Sequence, residues 1–435
     1  MRSLNRVPVV AALLAAVGAV PAAVAAQRAP RDSVEPGAEL AISLVTVGPG
    51  AEIWERFGHN AILVRDTVRG TGTMYNYGIF DFQSEDFLLR FIQGRMLYRV
   101  EGFPPDLSLY TGNNRSVWIQ DLNFTPAQRN ELRGFLEWND LPENRNYRYD
   151  YYRDNCSTRV RDALDNVLRG QIQRQTDRFA AGTTYRFHTQ RLTTNDVPVY
   201  TGLLIALGLP VDRSLTLWEE MFLPTSLQQH LREVTVTGPD GNAQPFVTAE
   251  RTVYESTAVP PAEVPPSWGL RYLLVGIILA VVLLWLGIKA PQSRIAYVAF
   301  SGAGTLWALV IGILGTVLLG LWVVTDHAAA YWNENLFMFN PLALALAVTL
   351  PPAVLGSAGS KPLARRFALA TALLAAFGFV LQPLPWFDQI NGQLYALVVL
   401  PHIAVAIGVY RVAAAEPDGD DNDADVVLQE QPAWK

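Results

Sequence analysis

The sequence predicts an α+β domain followed by an all-α membrane domain of about five transmembrane helices. Three observations support this division. The first stretch has the pattern of an export signal, most charged residues lie before Ser267, and nearly all long apolar runs lie after it. The chain has 435 residues and a formal net charge of −6, so it does not have the basic balance typical of nucleic-acid-binding proteins.

Residues 1–26 have the three parts of a secretory signal peptide. Arg2 and Arg6 precede an apolar run over residues 7–24, and small residues follow, with cleavage expected after Ala25 or Ala26. An uncleaved anchor is the alternative. Either interpretation places the following domain, residues 38–258, outside the cytoplasm.

A proline-rich linker separates the two halves. Residues 259–271 contain Pro260, Pro261, Pro265 and Pro266, which predict a stiff connection. The membrane domain is predicted over residues 272–411, and an acidic cytoplasmic tail over residues 412–435. The tail does not have the ligand spacing of a calcium loop and is predicted to be solvated.

Apolar runs of spanning length occur at residues 272–288, 296–324, 337–356, 367–381 and 394–410. The loops after the first and third runs carry the basic residues Lys289, Arg294, Lys361, Arg365 and Arg366. By the positive-inside rule these loops face the cytoplasm. The sequence therefore predicts a multi-pass inner-membrane protein with its N-terminal domain in the periplasm.

Cys156 is the only cysteine of the chain and lies at the predicted start of a helix. Asp154 or Asn155 can cap this helix, after which apolar residues recur at helical spacing. A lone cysteine in an exported protein is paired with another chain, inert or reactive. The helix N-terminus, Arg153 and Arg159 are expected to favour the thiolate, so the pattern predicts a reactive thiol.

His59 is a candidate partner for this thiol. It opens a strand-like run, residues 65–73 form a polar and glycine-rich turn, and residues 74–80 return as a second strand. In such a hairpin Asn76 can approach the imidazole of His59. A thiol, a histidine and a polar residue on neighbouring elements form a nucleophile, a base and an orienting group. A purely structural histidine is the alternative.

Residues 54–59, 75–82 and 151–157 resemble the Lnb-type lipoprotein N-acyltransferase family. This family belongs to the circularly permuted, papain-like NlpC/P60 relatives, in which the histidine strand precedes the cysteine helix. The Asn-Cys pair at residues 155 and 156 is also similar to that of lecithin:retinol acyltransferase relatives. The resemblance covers roughly residues 40–170 and implies a permuted papain-like fold for the periplasmic domain.

The resemblance implies Cys156 as the nucleophile, His59 as the general base and Asn76 as the orienting residue, with Tyr77 and Asp81 as competitors for the last role. Further residues are possible substrate contacts or site support: Tyr152, Arg153, Asn155, His327 and Asn335. No metal and no cofactor are expected, since one cysteine and isolated histidines such as His188 and His230 do not predict a zinc site.

The implied activity is a two-step acyl transfer. Cys156 takes an acyl chain from a phospholipid as a thioester, and the α-amino group of a diacylated lipoprotein then receives it. Two other classes remain open, namely a papain-like cell-wall peptidase or amidase, and a non-catalytic envelope assembly module. The superfamily contains both hydrolases and acyltransferases, so its fold does not choose between the reactions.

Two further sets of residues carry weaker predictions. His327 and Asn335 lie in the outer loop between the second and third spans, where they either belong to an interfacial belt or hold a lipid head group near the thiolate. Several large apolar residues of the first domain are expected to build its core, and an acyl groove lined by some of them is the alternative: Trp54, Phe57, Phe80, Phe82, Phe87, Leu88 and Phe91.

Overall fold

The computed structural model describes residues 35–80, 83, 86–238 and 240–414. The predicted signal peptide, Asp81, Phe82 and most of the acidic tail lie outside these residues. From Pro36 onward the chain forms one compact unit, in which a sheet-containing domain is followed by a helical domain. The predicted α+β and all-α halves are therefore confirmed.

An antiparallel sheet forms the frame of the first domain. In the described part of the chain its seven strands are β1 (Leu40–Val47), β2 (His59–Asp66), β3 (Thr71–Ile79), β4 (Leu97–Phe103), β5 (Val117–Leu122), β6 (Asn146–Arg148) and β11 (Val247–Tyr254). They lie in the order β11-β5-β1-β2-β3-β4-β6 across the sheet. Strand β11, late in the chain, pairs with β5 at one edge.

The predicted hairpin is formed by β2 and β3, with Ala61 opposite Asn76. The carboxylate of Asp66 accepts the main-chain N–H groups of Val68 and Arg69 at 3.0 and 2.8 Å, which stabilises the turn between the strands. Alternating side chains of this hairpin pack on two apolar clusters, one on each face of the sheet. The prediction of two strands and a turn is confirmed.

Shorter elements surround the sheet. The helices of the first domain are α1 (Phe87–Gln93), α2 (Ser108–Gly112), α3 (Pro126–Asn139), α4 (Cys156–Val167), α5 (Gln171–Thr176), α6 (Tyr185–Leu192), α7 (Val197–Ala206), α8 (Leu217–Glu220) and α9 (Pro224–Leu231). Two small antiparallel pairs are formed by β7 (Ala180–Thr184) with β8 (Ser214–Thr216) and by β9 (Thr235–Thr237) with β10 (Ala243–Pro245).

Helix α4 begins at Cys156 because Asn155 caps it. The Asn155 side chain accepts the N–H groups of Ser157 and Thr158 at 2.9 and 3.0 Å. The hydroxyl of Thr158 in turn accepts the N–H of Asn155 at 2.8 Å, which completes a capping box. The apolar face of α4 packs into the main core against β2 and β3, as its helical spacing predicted.

The second domain contains, within the described residues, five helices long and apolar enough to span a membrane. Its α-helices are α10 (Gly269–Lys289), α11 (Arg294–Val323), α12 (Leu342–Val354), α13 (Ser360–Leu381) and α14 (Gly392–Ala414). The third candidate span, Glu334–Val354, includes the short 3-10 turn Glu334–Phe337 before α12. Helix α10 begins at Gly269, inside the predicted linker, because the last linker proline is Pro266 and the residues after Trp268 can continue the helix.

Helix α7 joins the two domains. Its Tyr200 and Leu204 are buried in an apolar cluster built mainly from membrane-domain residues, which include Tyr272 and Tyr395. The hydroxyl groups of Thr201 and Tyr272 lie 2.6 Å apart. One helix of the sheet domain therefore packs against the helical bundle.

Candidate active site

The Cys156 thiol lies at the first position of α4, where this helix meets β2 and β3. Gly78 has a left-handed φ of +91° beside an irregularity in the pairing of β3 with β4. A Cβ atom at Gly78 would lie 3.4 Å from Cβ of Cys156, so the strand approaches the cysteine closely. The cysteine residue as a whole is partly exposed.

His59 and Asn76 form the predicted pair. Nε2 of His59 lies 3.1 Å from Oδ1 of Asn76. The orientation of the amide is fixed because its Nδ2 donates to the carbonyl of Met74 at 3.2 Å. Nε2 therefore carries the proton, and Nδ1 is the basic nitrogen of the ring. Burial lowers the pKa of His59 to about 4, so the imidazole is neutral at pH 7.

Main-chain N–H groups surround the sulfur of Cys156. Burial raises the pKa of this thiol above its usual value, whereas hydrogen bonds from the N–H groups of Asn60, Ser157 and Cys156 itself lower the pKa. Asn60 directly follows His59 on β2, so the strand that carries the base also contacts the nucleophile. The expected thiolate is therefore not the favoured form, because burial outweighs the effect of the helix start.

The two arginines expected to stabilise the thiolate do not do so. Arg159 forms an ion pair with Asp154, and its guanidinium carbon lies 4.3 Å from the ring centroid of Tyr147. Arg153 is exposed, and its main-chain N–H donates to Asp150 at 2.9 Å. Sequence proximity to Cys156 therefore did not identify the cation that lowers the pKa of the thiol.

The cation that acts on the site is Arg115, which the sequence reasoning missed. Its side chain is buried, with Nε donating to the carbonyl of Gly48 at 3.0 Å and Nη1 to Glu55 at 3.2 Å. Nη2 is also buried and has no hydrogen-bond partner among the described residues. The charge of Arg115 lowers the pKa of both Cys156 and His59.

Tyr110 is a second residue that the sequence did not indicate. Its hydroxyl donates to Oδ1 of Asn76 at 3.3 Å, and its ring centroid lies 6.0 Å from that of His59. The guanidinium of Arg115 lies 5.6 Å from the same ring. Tyr110 therefore holds the amide and the imidazole together on one face of the sheet.

The other candidate residues near Asn76 and Cys156 make structural contacts. Tyr77 donates to Asn139 at 2.8 Å and packs in the main core, so Asn76, not Tyr77, contacts His59. The hydroxyl of buried Tyr152 lies 2.8 Å from that of Thr189. Tyr77 and Tyr152 therefore support the elements around the site from within the core, and Asn155 does so as the helix cap.

The outer-loop candidates have different roles. Asn335 is fully buried, and its Nδ2 donates to the carbonyls of Leu204 and Ile205 at 3.1 and 2.9 Å. The prediction that Asn335 holds a lipid head group is wrong, because its donor group caps the C-terminal end of α7. His327 is partly exposed and donates through Nε2 to the carbonyl of Phe91 at 2.9 Å.

Some aromatic and aliphatic residues expected in the core are on the surface. Trp54, Leu88 and Phe91 have exposed side chains. Leu88 and Phe91 belong to α1, where none of the described residues is buried. The expectation failed because the spacing of apolar residues in a short helix does not show whether another element covers it.

His188 and His230, isolated in the sequence, are brought together by Glu220. Their Nε2 atoms lie 3.0 and 2.8 Å from its two carboxylate oxygens. Thr183 donates to the same carboxylate at 2.6 Å, and Arg191 donates to Nδ1 of His188 at 3.0 Å. The interpretation of these histidines as scattered is wrong, because tertiary contacts between α6, α8 and α9 create the cluster.

A sheet domain joined to five described helices of spanning length defines a multi-pass membrane protein. Residues 28–193 match the Lnb N-terminal periplasmic domain, and residues 269–408 match the Lnb transmembrane domain. The chain therefore belongs to the Lnb family, as its motifs predicted, and its sheet domain is the periplasmic one. Comparisons with curated proteins and with solved structures found no match.

Proposed function

We propose that this protein is an inner-membrane acyltransferase that moves an acyl chain from a phospholipid to the α-amino group of a diacylated lipoprotein. The observation that carries the proposal is the site itself. The Cys156 sulfur contacts the strand that bears His59, and Asn76 orients His59. This arrangement lies in a periplasmic domain that packs against a membrane domain, and both domains match the Lnb family.

In the first step Sγ of Cys156 attacks the carbonyl carbon of a phospholipid ester while Nδ1 of His59 takes the thiol proton. The carbonyl oxygen becomes an oxyanion. Its proposed donors are the N–H of Cys156, which donates to no described oxygen, and Nη2 of Arg115. The carbon–oxygen bond then breaks, His59 returns the proton to the leaving alkoxide, and a lysophospholipid departs from the thioester.

In the second step the α-amine of the lipoprotein attacks the thioester carbonyl. His59 accepts a proton from the amine, the carbon–sulfur bond breaks, and the Cys156 thiolate recovers a proton from His59. The products are a triacylated lipoprotein and free enzyme. No co-reactant is needed, because an ester is exchanged for an amide through one thioester.

The test uses the full-length protein with phospholipid vesicles and a diacylated lipoprotein that has a free α-amine. We expect one lysophospholipid for each triacylated product, and an acyl adduct on Cys156 when the amine is blocked. Cys156→Ala should abolish both products. His59→Ala should have nearly the same effect, and the double variant should lose little more, since the two groups act as a unit.

A cell-wall peptidase or amidase is the main competing function. Cleavage of cell-wall peptides that depends on Cys156, with the lipoprotein left unmodified, would replace the acyltransferase proposal. A non-catalytic assembly role would be indicated if the parent protein formed no acyl adduct, released no lysophospholipid and cleaved no cell-wall peptide. Lipid analysis separates these outcomes, because only acyl transfer or lipolysis releases lysophospholipid.

A further inference from the structure

Helix α1 presents an uncovered apolar surface. Among its described residues, Leu88, Leu89, Phe91 and Ile92 are 67%, 55%, 44% and 55% exposed. Four such side chains on one short helix would be costly to leave in water, since burial of each large apolar side chain is worth about 1.5–3 kcal/mol. The surface therefore needs a partner.

The position of α1 identifies that partner as the membrane. The main-chain N–H of Asp326 donates to the carbonyl of Gln93 at 2.8 Å, and a Cβ atom at Gly94 would lie 2.7 Å from the nitrogen of His327. His327 is the fourth residue after Val323, where α11 ends. At about 3.6 Å per residue, the C-terminal end of α1 lies within about 14 Å of the end of that span.

Two ion pairs hold the C-terminal end of α1 beside the loop that follows α11. Asp326 pairs with Arg95 at 2.8 Å and with Arg148 at 3.0 Å, and both arginines lie close to the C-terminal end of α1. Next to this loop, the rings of Trp322 and Trp332 lie 5.1 Å apart, and such aromatic residues mark the bilayer interface. The C-terminal end of α1 is therefore held beside the loop that follows the candidate span α11.

A cavity of about 460 Å³ lies between α1 and β4. Phe80, Phe87, Met96 and Tyr98 supply much of its apolar lining, and the polar residues Asp86, Arg90, Arg99 and Asn146 line it as well. Pockets that hold small molecules typically measure about 300–1,000 Å³, so the cavity is large enough for a flexible apolar chain.

Two lining residues connect the cavity with the surroundings of the thiol. Ile79 lines it and directly follows Gly78, the residue that packs against Cys156. Tyr98 lines it as well, and its ring centroid lies 4.1 Å from that of partly buried Tyr149, whose pKa is raised by burial and by the nearby Cys156. Apolar and aromatic side chains therefore run from α1 to the immediate surroundings of the sulfur.

We propose that this cavity receives the acyl chain of the donor phospholipid, and that α1 enters the outer surface of the membrane to admit it. The proposal rests on the proposed function and adds the site through which the donor arrives. The occupant is a lipid of the bilayer, because α1 is held beside the end of a span and the cavity opens between α1 and the strand next to β3.

The test replaces apolar residues on the uncovered surface of α1. In the double variant Leu88→Glu/Ile92→Glu, acyl loading of Cys156 from vesicles of phosphatidylethanolamine and phosphatidylglycerol should fall at least about tenfold, measured by intact mass. Alkylation of Cys156 by iodoacetamide should stay within about twofold of the parent rate. Iodoacetamide is water-soluble and reports whether the thiol and the fold are intact.

Val68→Glu is the matched control, because Val68 is an 80% exposed apolar residue in the turn between β2 and β3. The Val68→Glu variant should acquire the acyl adduct on Cys156 at the same rate as the parent protein. Normal loading of the α1 variant would overturn the inference while leaving the acyltransferase proposal intact. Absence of any adduct in the parent protein would instead remove the proposed function and the inference with it.

A second variant tests the cavity separately from α1. Leu97 lines the cavity and is half exposed, so Leu97→Trp can narrow the space without disturbing the core. With an equal mixture of short-chain and long-chain phospholipids, the variant should load a larger share of the short chain than the parent protein does. An unchanged distribution of adduct masses would exclude this cavity as the acyl site.

Discussion

At the scale of residues, the candidate site balances burial against charge. Burial raises the pKa of Cys156, while main-chain N–H groups and Arg115 lower it. Burial also keeps His59 neutral, with a pKa of about 4. At neutral pH the pair is therefore a thiol next to a neutral base, not a thiolate next to an imidazolium. Reactivity then depends on proton transfer during attack.

This balance predicts an unusually wide pH range for acyl loading. The reactive combination, neutral His59 with protonated Cys156, persists from above about pH 5 to the alkaline titration of the thiol. We expect kcat/KM for loading to change by less than about twofold between pH 5.5 and pH 8. A fall toward acid with a midpoint near 6.5, the ordinary value for histidine, would contradict this assignment.

Arg115→Gln provides the companion measurement. Loss of the positive charge should raise the pKa of Cys156 further and raise that of His59. We therefore expect kcat/KM for acyl loading to fall as the pH is lowered, at a higher pH than in the parent protein. Arg115→Lys, which keeps the charge, should retain the parent profile more closely. A merely structural role for Arg115 would lower the amount of folded protein without changing the pH dependence of acyl loading.

At the scale of elements, a buried network supports the cap of α4. Glu220 joins His188 and His230, and the two residues after it continue into the site. The carbonyl of Met221 accepts the Ser157 hydroxyl at 2.7 Å, and that of Phe222 accepts the side-chain N–H of Asn155 at 3.0 Å. The segment that Glu220 fixes is therefore the one against which the nucleophile helix begins.

Removal of this carboxylate should destabilise the protein. Glu220→Ala leaves two buried imidazole N–H groups without their acceptor, and an unsatisfied buried donor typically costs about 1–3 kcal/mol. We expect a clear drop in unfolding temperature in detergent at pH 7. Glu131→Ala, which removes an exposed partner of Arg169, should change stability by less than about 1 kcal/mol and serves as the control.

The stability effect should also depend on pH. The pKa of Glu220 is lowered in the folded protein: burial opposes ionisation, but the hydrogen bonds from His188, His230 and Thr183 outweigh it. The network therefore contributes fully above the usual glutamate pKa of about 4.3, and its contribution declines as the pH falls below that value. The difference between the parent protein and Glu220→Ala should shrink at pH 4.

Local patterns predicted the elements that depend on neighbouring residues. The hairpin of β2 and β3, the start of α4 and the five spans follow from periodicity, turn residues and a capping asparagine. Arg115, Tyr110 and the Glu220 cluster could not be predicted, because long-range pairing of the sheet and packing of short helices bring them together. The exposure of α1 depends on the membrane and has no local signature.

At the scale of the whole molecule, the orientation of the bundle remains a prediction from the basic loops. A reporter that fluoresces only in the cytoplasm should be bright when inserted after Ser357, between α12 and α13, and dark when inserted after Gly241 in the periplasmic domain. The reverse pattern would place Cys156 in the cytoplasm and remove the proposed encounter with periplasmic lipoproteins.

The packing of α7 against the membrane domain limits how domains can be exchanged between members of the family. The helix spans residues 197–206, in the stretch between the two family matches, which end at residue 193 and resume at residue 269. Its last carbonyls are capped by Asn333, Asn335 and Gln389 of the other domain. A chimera joined at residue 269 would combine α7 of one parent with the capping loops of the other, whereas a junction at residue 193 keeps α7 with those loops. Functional chimeras therefore require α7 and its capping loops to come from the same parent.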